Sequence, residues 1–312
     1  MGISQIISKL KKEKTFFVSF FNDYRLYKKH NVENENNLSH KSIILIYSHS
    51  LEKAFTLKSR RKEFGYEKAK KLLNAIQKFK IIDKYDHQVL NLGLATLNKY
   101  CEFFPKYKDL KKDIQSFENI QLKSNEYIGF NTFNKKEILS RSVLDFEKFA
   151  KSRHSVREYS VIKVKHTKVQ EAINIAQFTP SSCNRQPWNA IVLNDDEVKK
   201  AKKLLTGFKG FEKPFTGLIA VCSNLSMYNG EKERNQVYID GGLYAMTLTF
   251  AMHSKGIATC LMNWSVTNQR DKQLKEMLNI VENVKVIVFI AYGNYTENFN
   301  VTKSYRFETI NS

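Results

Sequence analysis

Near residue 140 the apolar pattern of this 312-residue chain changes period, and that change limits what the chain can fold into. Up to that point apolar residues recur at helical spacing. Ala69, Leu72, Leu73, Ile76 and Phe79 share one helical stripe, and Leu90, Leu94, Leu97, Cys101 and Phe104 share another that Pro105 stops. The Asn-rich stretch 31–41 reads as a loop between two helical pieces. No Gly-rich strand-to-helix turn interrupts this part, so no nucleotide fold is expected in it. Beyond residue 140, helical stripes alternate with short β-rich runs. Residues 166–178 carry Val169, Ala172, Ile173 and Ala176 on one face before Thr179 and Pro180 close the helix. Residues 189–193 form a short β-rich run, and residues 218–222 and 284–292 have the length and β-branching of buried strands. Asp195 is placed to cap a helix reaching Leu205, with Gly207 ending it. Residues 238–253 are apolar nearly all round, which marks a helix buried on most faces, and Gly241 and Gly242 inside it imply a close helix contact. The expected class is α+β, with a mostly helical region over residues 1–140 and a sheet flanked by helices over residues 141–312.

Charge and cysteine usage narrow the functional classes. Lys and Arg total 51 against 31 acids, a net charge of +20, which suits anionic ligands, nucleic acid or anionic surfaces. The excess is diffuse, +12 up to residue 140 and +8 after it, and Lys far outnumbers Arg. No zinc finger, compact basic motif or aromatic–basic RNA signature accompanies it, so a nucleic-acid or polyanion module ranks behind other readings. Cys101, Cys183, Cys222 and Cys260 show no paired spacing, and reduced thiols are expected. The seven histidines lack metal-ligand spacing, so no metal is expected. The longest apolar runs, such as 286–291, fall far short of the roughly 18–20 residues that span a bilayer. Residues 1–21 mix Lys with Phe and carry no signal-sequence pattern. A soluble cytoplasmic protein that engages neither membrane nor nucleic acid is therefore expected.

Two segments carry chemistry. Arg153, His154, Ser155 and Arg157 put guanidinium forks, an imidazole and a hydroxyl into five residues, a donor set that fits a phosphate. Twenty-four residues after Arg157 begins Ser181-Ser182-Cys183-Asn184-Arg185-Gln186-Pro187-Trp188, preceded by Pro180. Its small polar donors beside proline and tryptophan suit a flat heteroaromatic ring. Alone, the first segment would read as an exposed basic loop and the second as a turn. No Gly-x-Gly-x-x-Gly or Walker-type loop occurs.

Taken together, in this order and spacing, the two segments resemble the motifs of the nitroreductase family of FMN-dependent oxidoreductases. Two further segments are similar to the family: Gln236-Val237-Tyr238, opening a long apolar helix that ends at Lys255-Gly256-Ile257-Ala258-Thr259-Cys260, and Lys303-Ser304-Tyr305-Arg306 near the end of the chain. The resemblance covers about residues 141–312. It implies a nitroreductase-like fold with a central mixed or antiparallel sheet, and a homodimer with FMN at its interface, the long helix being central to that interface. It also implies FMN-phosphate contacts from Arg153, His154, Ser155 and Arg157, and from Lys303 and Arg306. Pro180, Ser181, Ser182, Asn184 and Gln186 would meet the ring edge, and Met262 and Asn263 would lie against one ring face. A further family lysine corresponds to Lys209 or Lys213. No acid–base residue is required by the mechanism it implies, in which hydride passes from NAD(P)H to the flavin and then to a nitroaromatic, quinone or similar acceptor in a ping-pong cycle. A flavin-binding sensor or carrier without turnover is the alternative within the same family.

Overall fold

The computed structural model describes residues 3–30, 37–56, 64–82, 84–117, 145–205, 215–299 and 301, in two compact units. The first unit comprises Met1–Val143 together with Ser181–Pro187 and Asn224–Val237, and the second comprises Leu144–Pro180, Trp188–Ser223 and Tyr238–Ser312.

Helices build the first unit: α1 (Ile3–His30), α2 (Asn37–Thr56), α3 (Tyr66–Lys78), α4 (Lys84–Phe103) and α5 (Lys108–Gln115). The stripes seen in the sequence form its core. α3 turns Ala69, Leu72, Leu73, Ala75 and Ile76 inward, where they meet Ile44, Leu51 and Phe55 of α2 and Leu94, Leu97 and Tyr100 of α4. Each such aliphatic side chain contributes about 1.5–3 kcal/mol on full burial. Among its polar ties, Tyr100 donates to Phe64 O at 2.7 Å and Lys41 pairs with Asp86 at 3.2 Å. The expected 31–41 loop is shorter than read, because residues 37–41 already belong to α2, where Ser39 and Ser42 are buried. Residues 31–36 lie outside the described residues. α2 also packs against two short 3-10 turns of the same unit, Ser182–Asn184 and Leu225–Met227.

The second unit is α+β. Its elements are α6 (Phe146–Ser152), α7 (His166–Ala176), β1 (Trp188–Val192), α8 (Asp195–Lys202), β2 (Gly217–Asn224), α9 (Gln236–Ser254), β3 (Ile257–Asn263), α10 (Asn268–Met277) and β4 (Val284–Asn294). The strands run in the order β1-β2-β4-β3, with β1–β2 and β3–β4 antiparallel. One core holds Val156, Tyr159, Cys222, Met262, Trp264, Leu274 and Phe289, and another joins α7 and α9 to Ile219, Val221 and Ile290.

Several local expectations change. Asn194, not Asp195, caps α8, since its side chain accepts from the Asp196 and Glu197 amides while Glu197 returns a bond to the Asn194 amide. Gly207 lies outside the described residues. The apolar helix ends at Ser254, and residues 257–260 are strand, with Gly256 at φ +70 making the break that only glycine adopts without strain. Gly241 answers a sheet instead of a helix: a Cβ there would lie 2.6 Å from Ile287 Cγ1 of β4. Gly242 faces open space beside the exposed Tyr238, Ile239 and Leu243, so one face of α9 is uncovered. Among the described residues no helix is long and apolar enough to cross a membrane.

Candidate functional site

In the second unit, residues 153–157 lie along β3. Helix α6 ends at Ser152, the backbone turns extended at Arg153, and Ser155 then forms an isolated parallel bridge with Thr259. The Val156 amide donates to Thr259 O at 2.9 Å, and Tyr159 Oη donates back to Val156 O at 2.7 Å. Tyr159 is 1% exposed, and burial pushes its phenol well above the usual tyrosine range. The segment is thus pinned at its centre. Arg153, His154 and Ser155 remain half-buried and Arg157 exposed, so the cationic side chains stay reachable from solvent. Arg157 Nη1 donates to Ser155 O at 3.3 Å, which folds the guanidinium back over the segment.

A histidine unnoticed in the sequence sits behind it. His253 of α9 places Nε2 2.8 Å from Ser152 Oγ and Nδ1 3.1 Å from Tyr295 Oη, with the Phe149 ring centroid 5.0 Å away. Burial first, then the Arg153 and His154 charges, hold its pKa below the ordinary histidine value. Its neutral form therefore adds no cation to that of the arginines at neutral pH. Cys260 on β3 is also kept a thiol, burial raising its pKa against the lowering influence of Arg157 and Ser155.

Further along β3, Met262 is buried with Trp264 and Phe289 and registered against Phe289 in the sheet, so its side chain belongs to the core. Asn263 points outward and accepts from Ser265 Oγ at 3.0 Å. Trp264 is a packing residue whose indole donates to Asp271 at 2.9 Å.

The second motif falls in the first unit from Ser181 to Pro187, while Pro180 and Trp188 belong to the second. Cys183, Asn184 and Gln186 all adopt left-handed backbone, at φ 51, 50 and 47. Such conformations cost roughly 1–3 kcal/mol each and persist only where the surroundings enforce them. Ser181 Oγ accepts from the Gln186 amide at 3.0 Å, closing the loop on itself. Asn184 and Gln186 are exposed, and Gln186 Nε2 makes only long 3.4 Å contacts to Asn184 O and Oδ1. Arg185 turns the other way and is 2% exposed, held by Glu233. Burial opposes both charges, but their mutual hydrogen bonding prevails: Glu233 titrates below the usual glutamate range and Arg185 above its own. Trp188 is engaged within its own unit, stacked on Tyr244 at 4.9 Å and donating to Gln177 at 3.1 Å.

Lys303, Arg306, Lys209 and Lys213 lie outside the described residues. The structure therefore holds Arg153, His154, Ser155 and Arg157 in the same unit as Met262 and Asn263, the first segment meeting β3 at Thr259, and gathers Ser181, Ser182, Asn184 and Gln186 in a single loop of the other. All four cysteines are free, and among the described residues no group of three or more His, Cys, Asp or Glu is placed to hold a metal.

Comparison with known proteins follows these segments. A model described as the nitroreductase family matches residues 150–214. The chain is 34% identical over 152 residues to "Putative NAD(P)H nitroreductase YdgI" of Bacillus subtilis (strain 168), covering 37% of this chain and 73% of that protein. It is 22% identical over 211 residues to "4-nitrobenzoate reductase" of Pseudomonas putida, covering 50% and 88%. A solved nitroreductase family protein from Streptococcus pneumoniae TIGR4 overlays with a TM-score of 0.43 at 21% identity, covering 53% of this chain and 96% of its own. With nearly three quarters of a relative aligned at 34% identity, and both motif segments inside the matched region, the chain belongs to the nitroreductase family.

Proposed function

We propose that this chain is an FMN-dependent oxidoreductase that takes hydride from NAD(P)H and reduces a small organic acceptor such as a nitroaromatic or a quinone. The observation that carries the reading is the split within the second motif: Arg185 is turned into the protein while Asn184 and Gln186 are left exposed, their polar groups making only long mutual contacts. These exposed amides sit on backbone held in left-handed conformation at three non-glycine residues, a strain that clusters at ligand-binding loops.

The donor chemistry fits FMN in both segments. Arg153, Arg157, His154 and Ser155 offer charge-assisted and hydroxyl bonds to a phosphate, with Lys303 and Arg306 as further cations from the chain's last residues. Ser181, Ser182, Asn184 and Gln186, backed by Pro180, supply donors and acceptors for the ring's pyrimidine edge. The backbone at Met262 and Asn263 is the contact for a ring face. When bound, FMN would supply the two-electron carriage between NAD(P)H and the acceptor in a ping-pong cycle. The residues' own work is to hold the phosphate, orient the ring edge and leave one face open for flat substrates, so positioning contributes more than acid–base chemistry.

The uncovered face of α9, with Tyr238, Ile239 and Leu243, supports a homodimer, because three large apolar side chains on one helical face are covered cheaply by a second copy. The relatives' names, an NAD(P)H nitroreductase and a 4-nitrobenzoate reductase, support the donor and acceptor classes. A cytoplasmic place of action belongs to the same proposal. The test is an anaerobic titration of the purified protein with NADH and NADPH, followed by nitroaromatic and quinone acceptors. Flavin absorbance that bleaches with a nucleotide and returns with the acceptor is expected. A yellow protein that neither nucleotide bleaches would instead be a flavin sensor or carrier.

A further inference from the structure

Arg185 lies inside the proposed ring-binding loop, yet its side chain is fully buried and cannot meet a ligand. Four hydrogen bonds engage its guanidinium. Nε donates to Ser182 O at 2.9 Å and Nη2 to Ser182 Oγ at 2.7 Å, while Nη1 and Nη2 take the two Glu233 oxygens at 2.8 Å each. The group also lies 5.1 Å from the centroid of the Tyr228 ring. Glu233 is itself fixed, since its Oε2 accepts from the Asn229 amide at 2.6 Å. The segment bearing Glu233 is tied in turn to the N-terminal helices. Ser42 of α2 donates to Met227 O at 2.9 Å, and Tyr27 of α1 donates to Gly230 O at 2.6 Å.

These contacts surround backbone that would not hold itself. Three of the four residues 183–186 are left-handed without being glycine, so the surrounding structure must supply what that conformation costs. Arg185 is buried and the Glu233 side chain 27% exposed; such a pair is a poor source of net stability, because an apolar pair of similar volume often replaces it without loss, while its bidentate fork fixes which groups meet. The bidentate fork at Arg185 ties the turn at Ser182 to the separate segment that bears Glu233.

Resting on the flavin reading of this loop, we propose that Arg185 and Glu233 are a positioning pair. They hold Ser182–Asn184 and Gln186 in the conformation that presents the Asn184 and Gln186 amides to the ring, and the N-terminal helices brace the pair through residues 225–233. The region before residue 140 thereby acquires a role in setting the geometry of the cofactor loop.

The test compares the full-length wild type with the double variant Arg185→Met/Glu233→Leu and with Arg185→Lys. Three quantities are read: the apoprotein's thermal midpoint, amide exchange at residues 183–186, and the FMN dissociation constant from fluorescence titration. The double variant should melt near the wild type, yet exchange at 183–186 should quicken and the FMN dissociation constant rise, each by about tenfold or more, as loss of sub-ångström positioning does. Arg185→Lys keeps the charge but not the fork, and should fall between. It decides by the same readouts should the double variant fail to fold. Wild-type exchange together with a wild-type dissociation constant in a folded variant overturns the proposal. If the wild type takes up no FMN, the flavin reading fails, and wild-type exchange in the variants would then overturn the positioning pair separately.

Discussion

Gly293→Ala tests the support beneath residues 153–157, the proposed phosphate segment. A Cβ at Gly293 would lie 2.7, 2.8 and 2.9 Å from Cδ1, Cβ and Cγ of Tyr159. Carbon atoms settle at about 3.5–4.0 Å, so the ring must retreat by roughly 0.8 Å or more. It has little room to do so, being 1% exposed and tied through its hydroxyl to Val156 O at 2.7 Å and Ala291 O at 3.4 Å. Overpacking of this kind costs about 1–3 kcal/mol, and alanine's advantage over glycine in a strand returns about 0.5–1 kcal/mol, so a net loss of about 1 kcal/mol is expected. For a unit of this size that lowers Tm by about 2–4 °C. Thermal unfolding followed by circular dichroism measures it, with the Tyr159→Ala background as control. There the obstructing ring is gone, and adding Gly293→Ala should be neutral or mildly stabilising. Because Val156 sits within residues 153–157, FMN affinity should weaken alongside stability. A Gly293→Ala protein that melts with the wild type, or that loses the same amount in the Tyr159→Ala background, refutes the reasoning.

Other expectations come from the same geometry. Tyr159→Phe leaves the buried Val156 carbonyl without its donor and should cost about 1–2 kcal/mol in urea unfolding. Gly242→Ala adds a methyl group to open space within a helix and should stabilise the isolated chain by up to about 1 kcal/mol in the same assay. His253 has a folded pKa below its unfolded value near 6.5, so the unfolded state binds the extra proton and stability falls as pH drops below about 6.5. His253→Gln should flatten that slope when urea midpoints are compared between about pH 5 and pH 8. Glu233 is likewise depressed, so the stability its pair contributes is present above the unfolded glutamate pKa and is lost as pH falls through the lower folded value. Leu243→Glu places a charge on the uncovered face of α9 and should convert a dimer to a monomer in light scattering, with loss of bound flavin.

What could be read from the residues depended on how local the cause was. The stripes of α3 and α4 and the apolar runs of β1, β2 and β4 announce themselves, because period and β-branching are properties of neighbouring residues. β3 escaped because Ile257, Ala258, Thr259 and Cys260 are all buried and show no alternation, so they read as the tail of the apolar helix before them, and Gly256 was the missed punctuation. α10 escaped for the opposite reason: only Leu274 and Lys275 are buried in it, and its clearest sign was Thr267, whose side chain accepts from the Arg270 amide at the helix start. The two candidate segments, 153–157 and 180–188, were legible as strings of donors. Their supports were not, since Arg185 meets a carboxylate 48 residues away and Tyr159 meets Ala291 across 132, separations that no spacing rule detects.

The most direct test of the account is the visible spectrum of the purified protein, supplied with FMN and then titrated without oxygen with NADH and NADPH. An oxidised-flavin spectrum in stoichiometric amount, lost in Arg153→Ala/Arg157→Ala and bleached by at least one nucleotide, is the predicted result. A colourless protein that takes up no FMN would contradict it.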